Sequence, residues 1–329
     1  EQIQKAIDRG KEFLYSKQKD GNWENVAAPP RPTTRPSGTE DGQWGGLTAI
    51  ATYALLSAGD GPQHPRLKPS IDFLLDADIK GTYALGLRCQ MYSHLGDSPK
   101  VQMAMRRDAD ALDGGLRRVK SEAAGLCSYI CPSKGGNYDH SNSQYNVLGM
   151  WALARQISIP AEYWRTVDEA WRRHQYPDGS WSYVYYKDQK GPQGKDVPGT
   201  PSMTAAGIAT LFITQEFLNM GYGLDCKGNI RDKDIEQGLE WMNRNYDAVR
   251  RGRTMYTLYG IERIGVASGH KYFGTINWYE DGAEFLVRSQ RADGSWGGIP
   301  DTCFALLFLS HGGAPVVMNK LEYNLEPVT

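Results

Sequence analysis

One phrase occurs three times in this chain, each time closing a stretch with helical periodicity. It reads Gln18-Lys-Asp20-Gly21-Asn-Trp23, then Gln175-Tyr-Pro-Asp178-Gly179-Ser-Trp181, then Gln290-Arg-Ala-Asp293-Gly294-Ser-Trp296. A phrase repeated within one chain marks a repeat architecture, in which each supersecondary unit buries its apolar face against the next. The residue types suit a helix end. Asp caps locally and Gly takes a positive φ. Trp brings a large apolar plane whose N–H needs an acceptor, and Gln can bond the terminus of a neighbouring helix. All of these roles are structural.

The flanking segments define the unit. Before the first phrase, Ile3, Ala6, Ile7, Phe13 and Leu14 fall at helical spacing, with Lys5, Asp8, Arg9, Lys11 and Glu12 between them. That pattern predicts an amphipathic helix with one wet face. Segments 235–242 and 282–290 follow the same rule. The uncharged segments 47–56, 145–153, 203–212 and 303–309 are apolar or small on nearly every side, which predicts buried helices. Degenerate copies lie at 71–87, from Asp110 to the helix after His140, and from Trp241 to Ile261. Thr48, Thr82, Gln144, Thr204, Thr257 and Thr302 mark six inner helices. The expectation is one all-α domain over 1–329, an α6/α6 toroid built as a double ring of six helical hairpins. A closed ring needs no capping repeats. Long loops are expected at 27–40, 114–137 and 187–201.

Lys plus Arg total 37 against 38 Asp plus Glu, a net charge of −1. This balance offers no general attraction for a phosphate backbone or an anionic lipid surface, so no nucleic-acid partner is expected. The short Arg clusters read as solvated helix faces. No segment predicts a membrane span and no secretory leader is read at Glu1; additional domains in a longer, possibly secreted protein fit the same pattern. Of five cysteines, only Cys127 and Cys131 are close in sequence. Ordinary thiols, a disulfide and a metal pair all fit that spacing, and no compartment is assigned.

The three phrases resemble the QW repeats of the prenyltransferase and squalene-cyclase superfamily, and the match runs from Lys11 to about Leu309. The run Asp139-His-Ser141-Asn142-Ser143-Gln144-Tyr145 resembles a recurring inner-helix start in that group. The resemblance implies a toroid with a central cavity and with inner-helix N-termini gathered at one end. It does not fix the chemistry, because the same ring serves triterpene cyclases, protein prenyltransferase β-subunits and complement-like thioester domains.

Triterpene cyclases protonate an alkene with an Asp-x-Asp-Asp motif that is absent here; Ile299-Pro-Asp301-Thr302-Cys303 keeps only the final Asp-Thr, and Asp108-Ala-Asp110 falls in an outer-helix segment. Prenyltransferase β-subunits hold zinc through Asp-x-Cys and a distant His. Asp301 and Cys303 have that spacing, which makes zinc a weak alternative to the absence of any cofactor. Asp301 also reads as a helix N-cap. Asp139 beside His140 suits acid–base work or, equally, capping. The candidate catalytic set is therefore Asp301, Asp139 and His140. The candidate ligand-binding set is Tyr83, Asn142, Gln144, Tyr145, Tyr256, Tyr259 and Phe304, whose aromatic faces would stabilise a carbocation or stack on sugar rings. Three functions follow as expectations: a small-molecule site for an apolar or glycan-like ligand in the cavity, a non-catalytic binding module of a larger protein, or a zinc enzyme of the prenyltransferase-β type.

Overall fold

The computed structural model describes residues 1–26, 42–132, 137–218 and 232–312. The proline-rich stretch expected as a loop at 27–40 and Cys226 lie outside the described residues. Twelve α-helices are present among them: α1 (Gln2–Lys17), α2 (Gly46–Ser57), α3 (Lys68–Asp76), α4 (Thr82–Tyr92), α5 (Pro99–Gly115), α6 (His140–Leu153), α7 (Ala161–Arg173), α8 (Pro201–Leu218), α9 (Lys233–Arg251), α10 (Met255–Ser268), α11 (Trp278–Ser289) and α12 (Ile299–His311). A two-residue antiparallel hairpin, Tyr272–Phe273 with Ile276–Asn277, joins α10 to α11. The chain is thus mostly helical, and the small hairpin is the one departure from an all-helical expectation among the described residues.

Helices alternate in character along the chain. The even-numbered ones are buried over most of their length. In α6 every residue but Trp151 is buried, and α8 carries a continuous buried run from Met203 to Leu211. The odd-numbered ones are amphipathic. In α7, for example, Tyr163, Trp164, Val167, Ala170 and Trp171 are buried while Glu162 and Arg165 face water. Packing follows this division. Helix α2 packs on α4, α4 on α6, α6 on α8, α8 on α10 and α10 on α12, and α12 packs on α2. The amphipathic helices lie against these: α7 and α9 on α8, α5 on α4 and α6, α11 on α10 and α12, and α1 on α11 and α12. Small residues permit the close approaches. A Cβ at Gly86 would sit 2.2 Å from the Tyr145 carbonyl oxygen, so α4 meets α6 backbone to backbone there.

The repeated phrase does the same work three times. Trp23, Trp181 and Trp296 donate their indole N–H to the carbonyls of Leu14, Trp171 and Leu286, at 2.7, 2.8 and 2.7 Å. Each acceptor lies in the last turn of the preceding helix; the Leu14 and Trp171 carbonyls have no i+4 partner there, while the Leu286 carbonyl also accepts from the Gln290 backbone N–H at 3.1 Å. Their backbone N–H groups donate to Thr48, Thr204 and Thr302, three of the residues that mark inner helices. Gly21, Gly179 and Gly294 all have positive φ, at 76°, 94° and 89°. Each also packs against another amphipathic helix: a Cβ would meet Pro69 of α3, Gln237 of α9 or Arg9 of α1. The glutamines make the expected bridges. Gln18 donates to the Arg66 carbonyl just before α3, Gln175 to the Asp234 carbonyl in the first turn of α9, and Gln290 to the Ala6 carbonyl in α1.

A buried charge pair reinforces the join between α4 and α5. Arg88 and Asp108 make two parallel bonds, 2.7 and 2.6 Å, with both side chains 1% exposed. Tyr92 donates a third bond to the carboxylate, and the guanidinium also donates to the carbonyls of Leu74 and Ala77. Asp108, read from sequence as part of an outer-helix segment, is therefore a buried structural group.

Candidate functional site

The first two turns of the buried helices carry the residues that matter. A cavity of about 520 Å³ is lined by Tyr83 and Leu87 of α4, Tyr145 of α6, Tyr256 of α10, Pro300 and Phe304 of α12, and Gly46, Leu47 and Ile50 of α2. Glu24, Asn25 and Val26, which follow the first phrase, and Gln43 and Trp44, just before α2, complete the lining. Helices α2, α4, α6, α10 and α12 all contribute from their N-terminal ends. The aromatic wall is continuous in two places: Tyr83 and Tyr145 have ring centroids 4.9 Å apart, and Tyr256 and Phe304 5.6 Å. Burial raises the pKa of Tyr83, Tyr145 and Tyr256, so all three phenols stay protonated at neutral pH.

The polar groups at this wall are already organised. Gln43 accepts from the backbone N–H groups of Tyr83 and Ala84 and donates to the Tyr129 carbonyl, capping α4. Glu24 accepts from the N–H and the hydroxyl of Thr48 through one carboxylate oxygen, serving the start of α2. Among the described lining residues Glu24 is the only charged one.

The sequence candidates divide into three groups. Tyr83, Tyr145, Tyr256 and Phe304 line the cavity. Tyr259, Gln144 and Asn142 stand behind that lining. Tyr259 packs on Phe304 with centroids 5.3 Å apart, Gln144 bonds the Tyr256 hydroxyl and Arg263, and Asn142 bonds Asp139. The three acid–base candidates do not line the cavity. Asp139 caps α6: its Oδ1 accepts from the Asn142 backbone N–H at 2.9 Å, the Asn142 amide at 2.8 Å and the Ser141 hydroxyl at 2.8 Å. Asp301 is exposed in the first turn of α12. The N-cap there is Gly298 rather than Asp301, a correction of the capping role expected from sequence.

His140 is wholly buried between two loops. Its Nδ1 lies 2.7 Å from the Ser182 carbonyl, and its Nε2 lies 3.0 Å from Nδ1 of His174, whose Nε2 is 2.9 Å from the Glu122 carbonyl. Burial pushes His140 down to about 4 and, together with the neighbouring His140, pushes His174 down to about 3. The pair holds the 116–132 and 174–186 segments to the start of α6 and has no access to a cavity ligand.

Asp301 and Cys303 do not form a joint metal site. Residues i and i+2 of a helix project to different sides, and here Asp301 is exposed while Cys303 is fully buried with its thiol pushed up by burial. Among the described residues no three His, Cys, Asp or Glu side chains converge to hold a metal. Cys127 and Cys131 are buried free thiols, Cys131 pushed up to about 11 by burial. No helix among the described residues is long and apolar enough to cross a membrane.

Sequence reasoning passed over Glu24, Gln43 and Trp44. Glu24 directly follows the first phrase, and Gln43 and Trp44 belong to a further run, Asp41-Gly42-Gln43-Trp44, that repeats the Asp-Gly-x-Trp core without the preceding Gln and was the signal that could have marked them.

No known protein-family model matches the chain, and no curated protein matches it. A solved structure of a protein from Actinoplanes is similar over 95% of this chain and 100% of that one, with 15% sequence identity and a TM-score of 0.54. At that identity the likeness is one of fold.

Proposed function

We propose that the chain is an α6/α6 toroid, related to the prenyltransferase and squalene-cyclase superfamily, that binds an extended apolar ligand of isoprenoid class in its aromatic cavity. Three things support the toroid. The buried helices pack in sequence order and α12 packs on α2. The glutamine of the last phrase bonds α1 as the earlier ones bond α3 and α9. The three Trp anchors are superimposable in their bonding.

The ligand class rests on the wall itself. It is built from Trp44, Leu47, Ile50, Tyr83, Leu87, Tyr145, Tyr256, Pro300 and Phe304, with Glu24 its one charge among the described residues. An oligosaccharide brings a hydroxyl on almost every carbon and would leave most of them unpaired against such a surface. An isoprenoid chain brings only apolar area and gains from every contact. The role is binding rather than alkene protonation, because Asp301 and Asp139 stand away from the lining.

Thermal unfolding tests this. At a hundred times its Kd, farnesol is expected to add about 2.7 kcal/mol of stability, which for a chain of this size is a rise in Tm of about 4 °C. Cellohexaose is expected to leave Tm unchanged. A shift with the sugar alone, or with neither, overturns the proposal.

A further inference from the structure

Two hydrogen-bond chains behind the cavity wall end in opposite charges, and this fixes which way Tyr256 and Tyr83 point their protons. Behind Tyr256 the chain ends in a cation. Arg263 donates to Gln144 Oε1 at 2.7 Å, and a guanidinium has no acceptor to offer. The Gln144 amide is thereby locked with its oxygen toward Arg263, so its NH₂ donates to the Tyr256 hydroxyl oxygen. The Tyr256 proton is left to point elsewhere. Behind Tyr83 the chain ends in an anion. Asp139 Oδ1 already accepts three donors, among them the Ser141 hydroxyl at 2.8 Å. Ser141 has given its proton to the carboxylate side and so accepts the Tyr83 proton, at 2.6 Å. Tyr83 is left with a lone pair and no proton for a ligand.

The cavity therefore holds two phenols of opposite polarity, Tyr256 as donor and Tyr83 as acceptor. Both line the same cavity. No Lys or Arg stands among the described lining residues to neutralise an anion.

Resting on the isoprenoid reading above, we propose that the head group this cavity selects is an uncharged hydroxyl, held as donor to Tyr83 and as acceptor from Tyr256. The natural ligand is then a prenyl-type alcohol rather than a hydrocarbon or a diphosphate ester. An alcohol is the smallest group that donates and accepts at once. A diphosphate brings several negative charges into a wall with no described cation and beside Glu24, where burial of unpaired charge is strongly unfavourable.

Intrinsic tryptophan fluorescence, with Trp44 at the wall as reporter, reads the affinity of three probes: farnesol, farnesyl methyl ether and farnesyl diphosphate. The ether keeps the chain and the accepting oxygen but has no proton for Tyr83. Wild-type protein is expected to bind farnesol about tenfold tighter than the ether, the value of one hydrogen bond, and the diphosphate weakest of all. Tyr83→Phe is expected to erase the alcohol-over-ether preference, and Tyr256→Phe to weaken both by about tenfold. Equal affinity for alcohol and ether in the wild type, or tightest binding of the diphosphate, overturns the head-group inference while leaving the isoprenoid reading in place. Binding of none of the three overturns both. The wild-type comparison stands even if a variant misfolds.

Discussion

Replacing Trp181 by Phe isolates what the repeat phrase contributes. The side chain is fully buried, and its N–H is bonded at 2.8 Å to the Trp171 carbonyl, one of the last-turn carbonyls of α7 that has no helical partner. Phenylalanine keeps an aromatic ring but removes that donor. An orphaned buried carbonyl costs about 1–3 kcal/mol. The smaller ring also withdraws from Gly207, whose Cβ position lies 2.4 Å from the indole, and leaves a void worth roughly 1 kcal/mol more. The expected loss is about 2–4 kcal/mol, read from urea unfolding as a lower midpoint at unchanged slope. The same geometry recurs at Trp23, so Trp23→Phe should fall in the same range; at Trp296 the Leu286 carbonyl keeps its bond from the Gln290 backbone N–H, so Trp296→Phe should cost less. Trp151→Phe is the control. That ring is half-buried and its N–H reaches the side chain of Glu216 at the surface, so the change should stay within about 0.5 kcal/mol. A loss below about 0.5 kcal/mol at all three repeat positions, or an equal loss at Trp151, would refute the argument that these bonds anchor the hairpins.

Asp108→Asn should destabilise the protein by about 3–5 kcal/mol, because it strands the buried Arg88 guanidinium without its counter-charge; a midpoint within 1 kcal/mol of wild type in the same unfolding assay would contradict this. Glu262 is buried on α10 and burial raises its carboxyl to about 8. Its folded pKa exceeds the unfolded value, so its contribution is fully present below about 4.5 and is lost as pH rises toward 8. Glu262→Gln should therefore flatten the fall in stability between those pH values, and an unchanged slope argues against a neutral Glu262. The lowered pKa values of His140 and His174 act in the other direction. Both are neutral when folded, so stability is lost as pH falls below about 6.5. Proton NMR of the two imidazoles should show no titration between pH 7 and 5.

Much of the fold is legible in the residue pattern, for definite reasons. The indole of each phrase acts within about ten residues, on the helix it closes, so its role is local; the glutamines reach distant helices whose identity the spacing does not give. The alternation of charged and uncharged helices is equally local. Helix α7 escaped individual notice although Tyr163, Trp164, Val167, Ala170 and Trp171 keep clear helical spacing and the second phrase closes it. Arg88 escaped for a different reason: its carboxylate partner is twenty residues away on another helix, and nothing in an inner-helix pattern predicts a buried guanidinium. The hairpin at Tyr272–Asn277 is too short to leave a period-two signal.

The site is only partly legible. Tyr83, Tyr145, Tyr256 and Phe304 follow from their places near helix starts. The acid candidates were chosen by motif, and motif spacing cannot distinguish a helix cap such as Asp139 from a group facing a ligand. Which of two phenols donates and which accepts depends on Arg263 and Asp139, each one bond further back, and such chains become visible only when the helices are assembled.

Co-crystallisation with farnesol tests the central claim most directly. The account predicts ordered density running along the wall formed by Tyr83, Tyr145, Tyr256 and Phe304, with the hydroxyl within hydrogen-bond distance of Tyr83. A cavity left empty at saturating ligand, or density on the outer helices alone, would contradict it.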